Sequence, residues 1–453
     1  MLHTSKFRRI LALACAAAIT AQTFVAQAAP PTSTDAKAWL SRWVPHYERL
    51  YRYLHQHPEL SFQEEQTAAV VARDLAAYGY EVTPRVGGHG VVGVLRNGPG
   101  KTVMLRGDMD ALAIAEQTGL PYRSRATAKN DRGETVPVMH ACGHDLHTTN
   151  LLATAAFLAS QRTHWRGTLM IVAQPAEEKG AGALLMIQDG LFKRFPRPDY
   201  TLALHVSPEW QTGHVAIASG WAAANADTVN ITFYGRSGHG SRPHQAIDPI
   251  LIASHFVTAV QSLVSRRLDP QLAGVVTVGS FHGGAQPNAI PDQVSLALTV
   301  RSYSDEVRNL LIGGVRNTAK HVAETFAAPR PPEVKVKADY TPAVYNDPQL
   351  ASEAKAILTS ALGDGAVHEA QPPMTAEDFG RYGRTLGVPS LLIRLGVTSP
   401  AALRAAQRAN AAPLPSVHSS KFAPSAAAAL ATGVTTLSAL TLQLLSPNKS
   451  TEK

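Results

Sequence analysis

Residues 102–110 read TVMLRGDMD, an apolar run that ends in two aspartates. The arrangement recurs twice, since residues 168–173 lead into QPAEE at 174–178 and residues 200–204 lead into His205. Continuous apolar runs separated by helical patterns are typical of buried parallel strands joined by crossover helices. In such sheets the ligand site lies beyond the carboxyl ends of the strands. We therefore predict an α/β fold with a mostly parallel central sheet flanked by helices, and a site formed by these strand ends.

The length of the chain and a change in its pattern predict two domains. Without a 28-residue leader, 425 of the 453 residues remain, more than the ~250–300 at which single cores stop growing. From about Gly213 apolar and polar residues alternate, as in strands with one exposed face. Strand patterns and helix patterns then follow one another, which indicates an inserted α+β unit. Its exit is predicted in the Pro-rich segment AAPRPPE at 327–333. The predicted ranges are 35–214 and 333–446 for the catalytic domain and 215–332 for the insertion.

The first 28 residues have the pattern of a secretory signal peptide. Lys6, Arg8 and Arg9 precede an apolar stretch at 10–25, which is followed by the small-x-small triplet Ala-Gln-Ala at 26–28. The apolar stretch is too short for the ~20 residues that span a membrane. We expect cleavage near Ala28 and a periplasmic or secreted protein.

Charge, cysteine content and two misleading motifs exclude several function classes. The formal charge is +8 and falls to +5 without the leader, with no dense Lys/Arg run, so nucleic acid binding is not expected. Cys142 is the single cysteine after the leader, which excludes an intramolecular disulfide. GHGVVG at 88–93 fits a dinucleotide pattern but precedes a strand-like segment and opens no helix. The uncharged segment 422–448 contains Thr, Ser and Gln, and predicts a helix packed on the sheet rather than a membrane span.

The segment MHACGHDLHT at 139–148 indicates a bound metal, because a thiol lies two residues from an imidazole. The other candidate ligands are the pair Glu177–Glu178, His205 and the late His418. Each alone has an ordinary explanation, as a solvated turn, a buried histidine or a surface histidine. Their joint placement near strand ends favours a metal centre. Thiolate, imidazole and carboxylate together suit Zn, Mn or Co rather than Ca or Mg.

Eight segments in this order give the chain a family resemblance. It resembles the two-metal amidohydrolases that include hippurate hydrolases, N-acyl-amino-acid deacylases and auxin-conjugate hydrolases, which are related to aminoacylases and glutamate carboxypeptidases. The resemblance spans roughly residues 39–445 and implies a zinc-exopeptidase-like catalytic domain with an inserted α+β sandwich that serves as lid and dimerisation domain. The segments are LRGDMDALAIAE, MHACGHDLHT, QPAEE, ALHV, GHGSRPHQAIDPI, GGAQPNAIPD, MTAEDF and VHSSKF.

The resemblance implies two divalent ions per subunit and five ligands. Cys142 would bridge the ions, with His144 and His205 on one and Glu178 and His418 on the other. Asp108 stands where some relatives carry a ligand histidine, so it and Asp110 are expected to orient ligand side chains without binding metal.

The resemblance also implies the roles of the remaining site residues. Glu177 would take a proton from a metal-activated water and return it to the leaving amine. His239 would stabilise the oxyanion in the active site of the partner subunit, while Asn288 and Arg301 would contact substrate from the lid, Arg301 by gripping a carboxylate. The ordinary alternatives are a turn histidine for His239 and a surface cation for Arg301, and His244 is interpreted as structural. A homodimer or higher homo-oligomer through the insertion is also implied.

The sequence therefore predicts a metal-dependent amidohydrolase that cleaves N-acyl amino acids such as hippurate. A metallo-exopeptidase acting as a dipeptidase or carboxypeptidase is the alternative, followed by a catalytically inactive ligand-binding member of the family. A serine hydrolase is disfavoured, because GRSGH at 235–239 fails the Gly-x-Ser-x-Gly pattern at its last position. The acyl group, the side-chain preference, the native metal, the oligomer size and the fit of the Ala/Pro-rich stretch 399–415 before His418 stay open.

Overall fold

The computed structural model of the chain describes residues 33–408 and 410–446. The predicted signal peptide lies outside the described residues.

The larger unit is built on an eight-stranded sheet. Its four central strands, Gly167–Gln174, Thr102–Asp108, Tyr200–Gln211 and Ser390–Thr398, run parallel to one another. The predicted α/β class with a mostly parallel sheet is confirmed. In sheet order the strands are Glu81–Val86, Gly90–Asn97, Gly167–Gln174, Thr102–Asp108, Tyr200–Gln211, Ser390–Thr398, Val215–Ile217 and Val367–Glu369.

Two hydrophobic cores cover the two faces of this sheet. Because side chains alternate along a strand, Leu105 and Ile171 face one core, whereas Met104 and Met170 face the other. The apolar runs of the sequence are thus strands buried on both faces. The helices of this unit are Ser33–Gln56, Glu65–Ala77, His144–Ser160, Gly182–Gln188, Leu191–Arg194, Pro348–Leu362, Gly380–Leu386, Pro400–Ala406 and Ala426–Leu444, with a 3-10 turn at Arg162–His164.

The C-terminal helix is an internal element of this unit. Among the described helices, the segment Ala426–Leu445 alone has the length and apolar composition to cross a membrane, but 78% of its apolar window is buried in the protein. It packs against the helices Ser33–Gln56, His144–Ser160 and Pro348–Leu362. Its Gly433 lies so close to Asn150 that an added Cβ would be 2.2 Å from the Asn150 Oδ1. The structure therefore places this helix in the core.

Capping residues fix where several helices begin. Asp248, Asp347 and Ser399 each accept a hydrogen bond from a backbone N–H of the first turn, and each is followed by proline at the first helical position. Proline suits that position because its missing N–H would have no partner there. Ser304 caps the helix Asp305–Thr325 in the same way through the Val307 N–H.

The smaller unit is an antiparallel sheet covered by two helices. Its strands, in sheet order, are Gly274–His282, Gln293–Ser302, Asn225–Tyr234 and Glu333–Val336. The helices Pro249–Val260 and Asp305–Thr325 bury their apolar faces on this sheet in a separate core that includes Phe233, Phe256 and Leu298. A short 3-10 turn at Pro243–Gln245 and a π turn at Leu263–Arg267 flank the first helix.

Two strands belong to a different unit from the one predicted, so the limits of the insertion differ from the prediction. Val215–Ile217, assigned to the insertion, lies in the central sheet, where all three residues are buried. Glu333–Val336, assigned to the catalytic domain, pairs with Asn225–Tyr234 in the smaller sheet. Three residues are too few to show whether a strand alternates or is buried throughout, which is why the pattern misplaced them. Three further strand pairs complete the fold: Thr127–Lys129 with Thr135–Pro137, Gly220–Ala223 with Val344–Asn346, and Gly238–His239 with Ala289–Ile290.

Candidate metal centre

The turn at Gly143 brings Cys142 and His144 to the ends of the central strands. Gly143 has φ 78°, a left-handed conformation that favours glycine. An added Cβ there would lie 2.8 Å from the Val206 Cγ2, in the strand that carries His205. Glycine thus lets the chain turn against that strand before the helix His144–Ser160 begins.

The five predicted ligands meet at this point. The Cys142 Sγ is 3.5 Å from the His205 Nε2 and 3.3 Å from the His418 Nε2. The Glu178 Oε1 is 3.4 Å from the His418 Nε2 and 3.9 Å from the His144 Nε2. Two sets of three donors result, Cys142–His144–His205 and Cys142–Glu178–His418, and Cys142 belongs to both.

The spacing and chemistry of these donors fit divalent cations. Thiolate and imidazole ligands of a tetrahedral zinc lie about 2.3 and 2.0–2.1 Å from the ion, which puts them about 3.5 Å apart. Among the described residues, the buried His144 Nε2 and Glu178 Oε1 have no hydrogen-bond partner. Since buried polar atoms are nearly always satisfied, two orphaned atoms aimed into one cluster of donors are what a cation site requires.

His418 reaches the cluster from an exposed turn. Its φ of 65° is left-handed, unusual for a residue with a side chain, and its N–H donates to the Ala141 carbonyl oxygen at 2.8 Å. The side chain is half exposed. The neighbouring Cys142 and then Glu178 raise the pKa of His418 to about 10. The Ala/Pro-rich stretch 399–415 before His418 forms the helix Pro400–Ala406 and irregular chain. After this stretch the His418 imidazole lies within 3.3 Å of the Cys142 Sγ.

Asp110 orients both His144 and the glutamate pair. The His144 Nδ1 lies 2.8 Å from the Asp110 carbonyl oxygen and 3.2 Å from its Oδ1, which turns the Nε2 toward the cluster. The carboxylate also accepts the N–H of Glu177 at 3.2 Å and of Glu178 at 3.0 Å. Burial raises the pKa of Asp110, but the bond to His144 outweighs it and the pKa is lowered. Asp110 therefore stays ionised as an acceptor.

Asp108 is held by Arg106 and His147. Its Oδ2 accepts from the Arg106 Nη1 at 2.7 Å, and its Oδ1 is 2.5 Å from the His147 Nδ1. The second ring nitrogen of His147 accepts the Val206 N–H at 2.9 Å, so both of its nitrogens are engaged. Burial opposes ionisation of Asp108, but Arg106 and then His144 hold its pKa well below its usual range.

Glu177 lies beside the predicted ligands but faces other carboxylates as well. Its side chain is 10% exposed, and its Oε2 is 3.9 Å from the His144 Nε2. Its carboxylate also approaches those of Glu377 and Asp378. Burial, then Glu377 and Glu178, raises the pKa of Glu177 well above its usual range. A carboxyl group with a raised pKa next to such a cluster suits a residue that accepts and returns a proton.

Sequence reasoning missed a buried charge cluster behind Glu177. Arg106 lies in the fully buried strand Thr102–Asp108 and bonds to Glu377 and Asp378 as well as to Asp108. A cation inside a buried strand requires charged partners. Arg106, in an apolar run of the sequence, therefore could have indicated that buried carboxylates lie next to it. Glu377 and Asp378 belong to the MTAEDF segment, to which no role was given.

The three predicted lid residues lie in the smaller unit and outside the two donor sets. His239 and Asn288 are neighbours, because the Gly240 N–H donates to the Asn288 carbonyl oxygen at 2.8 Å. Both residues are exposed. Arg301 lies in the strand Gln293–Ser302, its Nε donates to the Thr299 Oγ1 at 3.0 Å, and burial lowers its pKa. His244 lies in the exposed 3-10 turn Pro243–Gln245. The substrate contacts of His239, Asn288 and Arg301 stay predictions.

A mostly parallel sheet with thiol, imidazole and carboxylate donors clustered at the ends of its strands defines the zinc-exopeptidase class of α/β metallohydrolases.

Within that class the chain belongs to Peptidase family M20/M25/M40, whose pattern matches residues 104–431. Hippurate hydrolase of Campylobacter jejuni is 39% identical over 339 residues, which cover 74% of this chain and 84% of that protein. Thermostable carboxypeptidase 1 of Saccharolobus solfataricus is 35% identical over 338 residues, covering 74% and 82%. A solved Bacillus subtilis structure, a dinuclear metal binding peptidase from the M20 family, matches with TM-score 0.72 and 26% identity, covering 89% of this chain and 99% of that one. The predicted family is confirmed, and the chain is a hydrolase of the amidohydrolase type.

Proposed function

We propose that this chain hydrolyses the amide bond of N-acyl amino acids, with two divalent cations and Glu177 as general base. The observation that carries the proposal is the meeting of five donor side chains in two sets that share Cys142, next to a buried carboxyl group. The resemblance to a protein named hippurate hydrolase supports an N-acyl amino acid as substrate.

The two sets of donors divide the ligands between two cation sites. Cys142, His144 and His205 would hold one cation, and Cys142, Glu178 and His418 the other. When bound, the cations would supply Lewis-acid polarisation of the amide carbonyl and of a water molecule. The donor types favour Zn, Mn or Co.

Glu177 moves the proton in the proposed reaction. It accepts a proton from the attacking water as the new C–O bond forms, and returns it to the amine nitrogen as the C–N bond breaks. The direction of the Glu177 pKa supports this role, because a raised pKa makes the ionised carboxylate a stronger base. Glu178, its neighbour, acts instead as a ligand, so the adjacent carboxylates divide the two roles.

The smaller unit would complete substrate binding. Arg301 would grip the free carboxylate of the amino acid as a charged fork, His239 would stabilise the oxyanion in the partner subunit, and Asn288 would contact substrate beside it. His239 lies in the strand pair and Asn288 directly precedes its second strand, and the exposure of both residues supports a contact with another molecule. A homo-oligomer through this unit and a periplasmic or secreted location belong to the same proposal.

Separate substitution of each of the two adjacent glutamates by glutamine tests the proposal. Glu177→Gln should lower kcat on hippurate about 100- to 10,000-fold, the range for loss of a general base, with metal content near that of the wild type. Glu178→Gln, the matched neighbour, should lower metal content itself, measured by elemental analysis after dialysis. Metal loss in Glu177→Gln with normal metal in Glu178→Gln would reverse the two roles.

A metallo-exopeptidase is the second candidate function, favoured by the 35% identity to a protein named thermostable carboxypeptidase. Turnover of hippurate and of a small dipeptide panel, each with and without chelator, separates the two activities. Faster chelator-sensitive turnover of dipeptides would favour the peptidase. No turnover of any substrate with metal still bound would favour an inactive, ligand-binding protein.

A further inference from the structure

We infer that Arg106, Glu377 and Asp378 form a positioning cluster that fixes Glu177 and the loop that carries it. The inference rests on the proposed function, because it assigns these residues a task in that reaction. None of the three is a ligand in the two donor sets, and none is assigned to substrate.

Arg106 is the centre of this cluster. Its guanidinium donates to the Glu377 Oε1 at 2.9 Å and Oε2 at 3.3 Å, to the Asp378 Oδ1 at 3.1 Å and to the Asp108 Oδ2 at 2.7 Å. The Arg106 Nε donates to the Gln174 Oε1 at 2.9 Å. The side chains of the four charged residues are 0–2% exposed. A planar fork with so many bonds in a dry interior holds its partners in one geometry.

Asp378 connects this cluster to both ends of the glutamate loop. Its Oδ1 accepts from the Gln174 Nε2 at 2.7 Å, at the end of the strand that precedes the loop. Its Oδ2 accepts the N–H of Ala183 at 2.9 Å, in the first turn of the helix that follows. Residues 175–182, which include Glu177 and Glu178, thus lie between two bonds to one carboxylate.

The loop depends on such external bonds for its shape. Ala176 has φ 51°, a left-handed conformation that is unfavourable for alanine. Its N–H donates to the Glu64 Oε1 at 2.8 Å, while Asp110 accepts the N–H groups of Glu177 and Glu178. Because side-chain acceptors from other elements hold a strained backbone, the loss of one of them changes where Glu177 lies.

Glu377 and Asp378 also act on the Glu177 side chain itself. The three carboxylates each place an oxygen within 4.8 Å of the other two. Arg106 bonds to Glu377 and Asp378, whereas the Glu177 carboxylate is 3.9 Å from the His144 Nε2. Because Arg106 fixes Glu377 and Asp378, their carboxyl groups limit the positions open to the Glu177 carboxyl group on that side.

Glu377→Gln, compared with Glu116→Gln, tests the inference in the full-length enzyme loaded with zinc. Glu377→Gln keeps the shape of the side chain and removes its charge. We expect kcat on hippurate to fall about 10- to 100-fold, the scale of a small misplacement of a catalytic group, with KM and metal content near wild type. Glu116 is the matched control, because its side chain is 0% exposed and lies 3.2 Å from the buried His55. Its other bonds, to Thr118 and Ser124, do not reach the loop, so Glu116→Gln should keep kcat.

Arg106→Lys provides a second variant that keeps the buried positive charge and loses the fork. It should show the same fall in kcat without a change in KM. Wild-type kcat in both cluster variants, an equal loss in Glu116→Gln, or a change confined to KM would each overturn the inference. If Glu177→Gln is inactive while the cluster variants are fully active, the positioning role alone fails. If Glu177→Gln retains turnover, the proposed function itself fails.

Discussion

If Cys142 and His418 are metal ligands, as proposed, the proton that each of them carries makes metal binding depend on pH. Burial raises the pKa of the Cys142 thiol, and the neighbouring Cys142 and Glu178 raise the pKa of His418 to about 10. In the metal-free protein both groups therefore hold a proton at neutral pH. A thiol and an imidazole must lose that proton to become ligands, so cation binding releases protons and strengthens as pH rises.

We accordingly expect the zinc affinity to rise by about tenfold per pH unit for each proton released between pH 6 and pH 8. Competition with a chromophoric chelator at each pH measures it. His418→Gln has no imidazole proton to release and should reduce the slope by about one. An affinity that does not change with pH would show that neither group is a ligand.

The sequence predicted the metal-donor side chains of the site but not the buried charge cluster beside them, and the reason is physical. Cys142, His144, Glu178, His205 and His418 are donor types that suit a metal. Glu178 and His205 follow apolar runs, and Cys142 and His144 share one short segment, so local patterns indicated four of the five. Arg106 and Glu377 are 271 residues apart. The length of each apolar run does not show where a distant loop will fold back, so the partner of a buried charge has to come from the structure.

At the scale of elements, a buried histidine joins the first helix to the helix that carries His144. His55, near the end of Ser33–Gln56, lies 2.7 Å from the Asp145 Oδ2 and 3.2 Å from the Glu116 Oε1. Burial lowers the pKa of His55, but the bonds to Asp145 and Glu116 outweigh it and raise the pKa to about 9. The imidazolium thus stabilises the folded chain.

This bond predicts a stability difference that depends on pH. Since the folded pKa of about 9 exceeds the unfolded value of about 6.5, the contribution is complete below pH 6.5 and is lost as pH rises through 9. It is on the order of 3 kcal/mol, at about 1.4 kcal/mol per pKa unit. Urea unfolding should show His55→Gln much less stable than wild type at pH 6 and closer to it at pH 9.5. Exposed His57 is the control, since His57→Gln should change little. A constant difference across this range would exclude the ion pair.

Whether a segment forms a helix or a strand was easier to predict than which of the two sheets a strand joins. The helix Asp305–Thr325, which has an acidic first turn and an apolar stripe, lies in the segment where the sequence predicted an α+β unit. Val215–Ile217 was assigned to the wrong unit, because three apolar residues fit either sheet. Which sheet takes a short strand depends on tertiary packing, which local sequence does not contain.

At the scale of the whole molecule, the smaller unit contacts the segment that carries Glu377 and Asp378. The Tyr303 hydroxyl donates to the Pro372 carbonyl oxygen at 2.5 Å, and the Ala224 N–H donates to the Thr375 carbonyl oxygen at 2.8 Å. Asp305 and Arg384 form an ion pair at 2.5 Å nearby. Residues 371–379 thus join the smaller unit to the positioning cluster, and we expect a change in these contacts to alter the geometry of the cluster.

Removal of the Tyr303 hydroxyl tests this connection. A typical hydrogen bond contributes about 0.5–1.5 kcal/mol, equivalent to roughly a 2- to 12-fold effect. If the bond helps to hold residues 371–379, Tyr303→Phe should lower kcat on hippurate within that range and leave metal content unchanged. Tyr345 is the matched control: its ring contacts the same Trp221, and its hydroxyl has no hydrogen-bond partner among the described residues. Tyr345→Phe should therefore keep kcat, and an equal effect of both changes would assign the loss to ring packing rather than to the bond with Pro372.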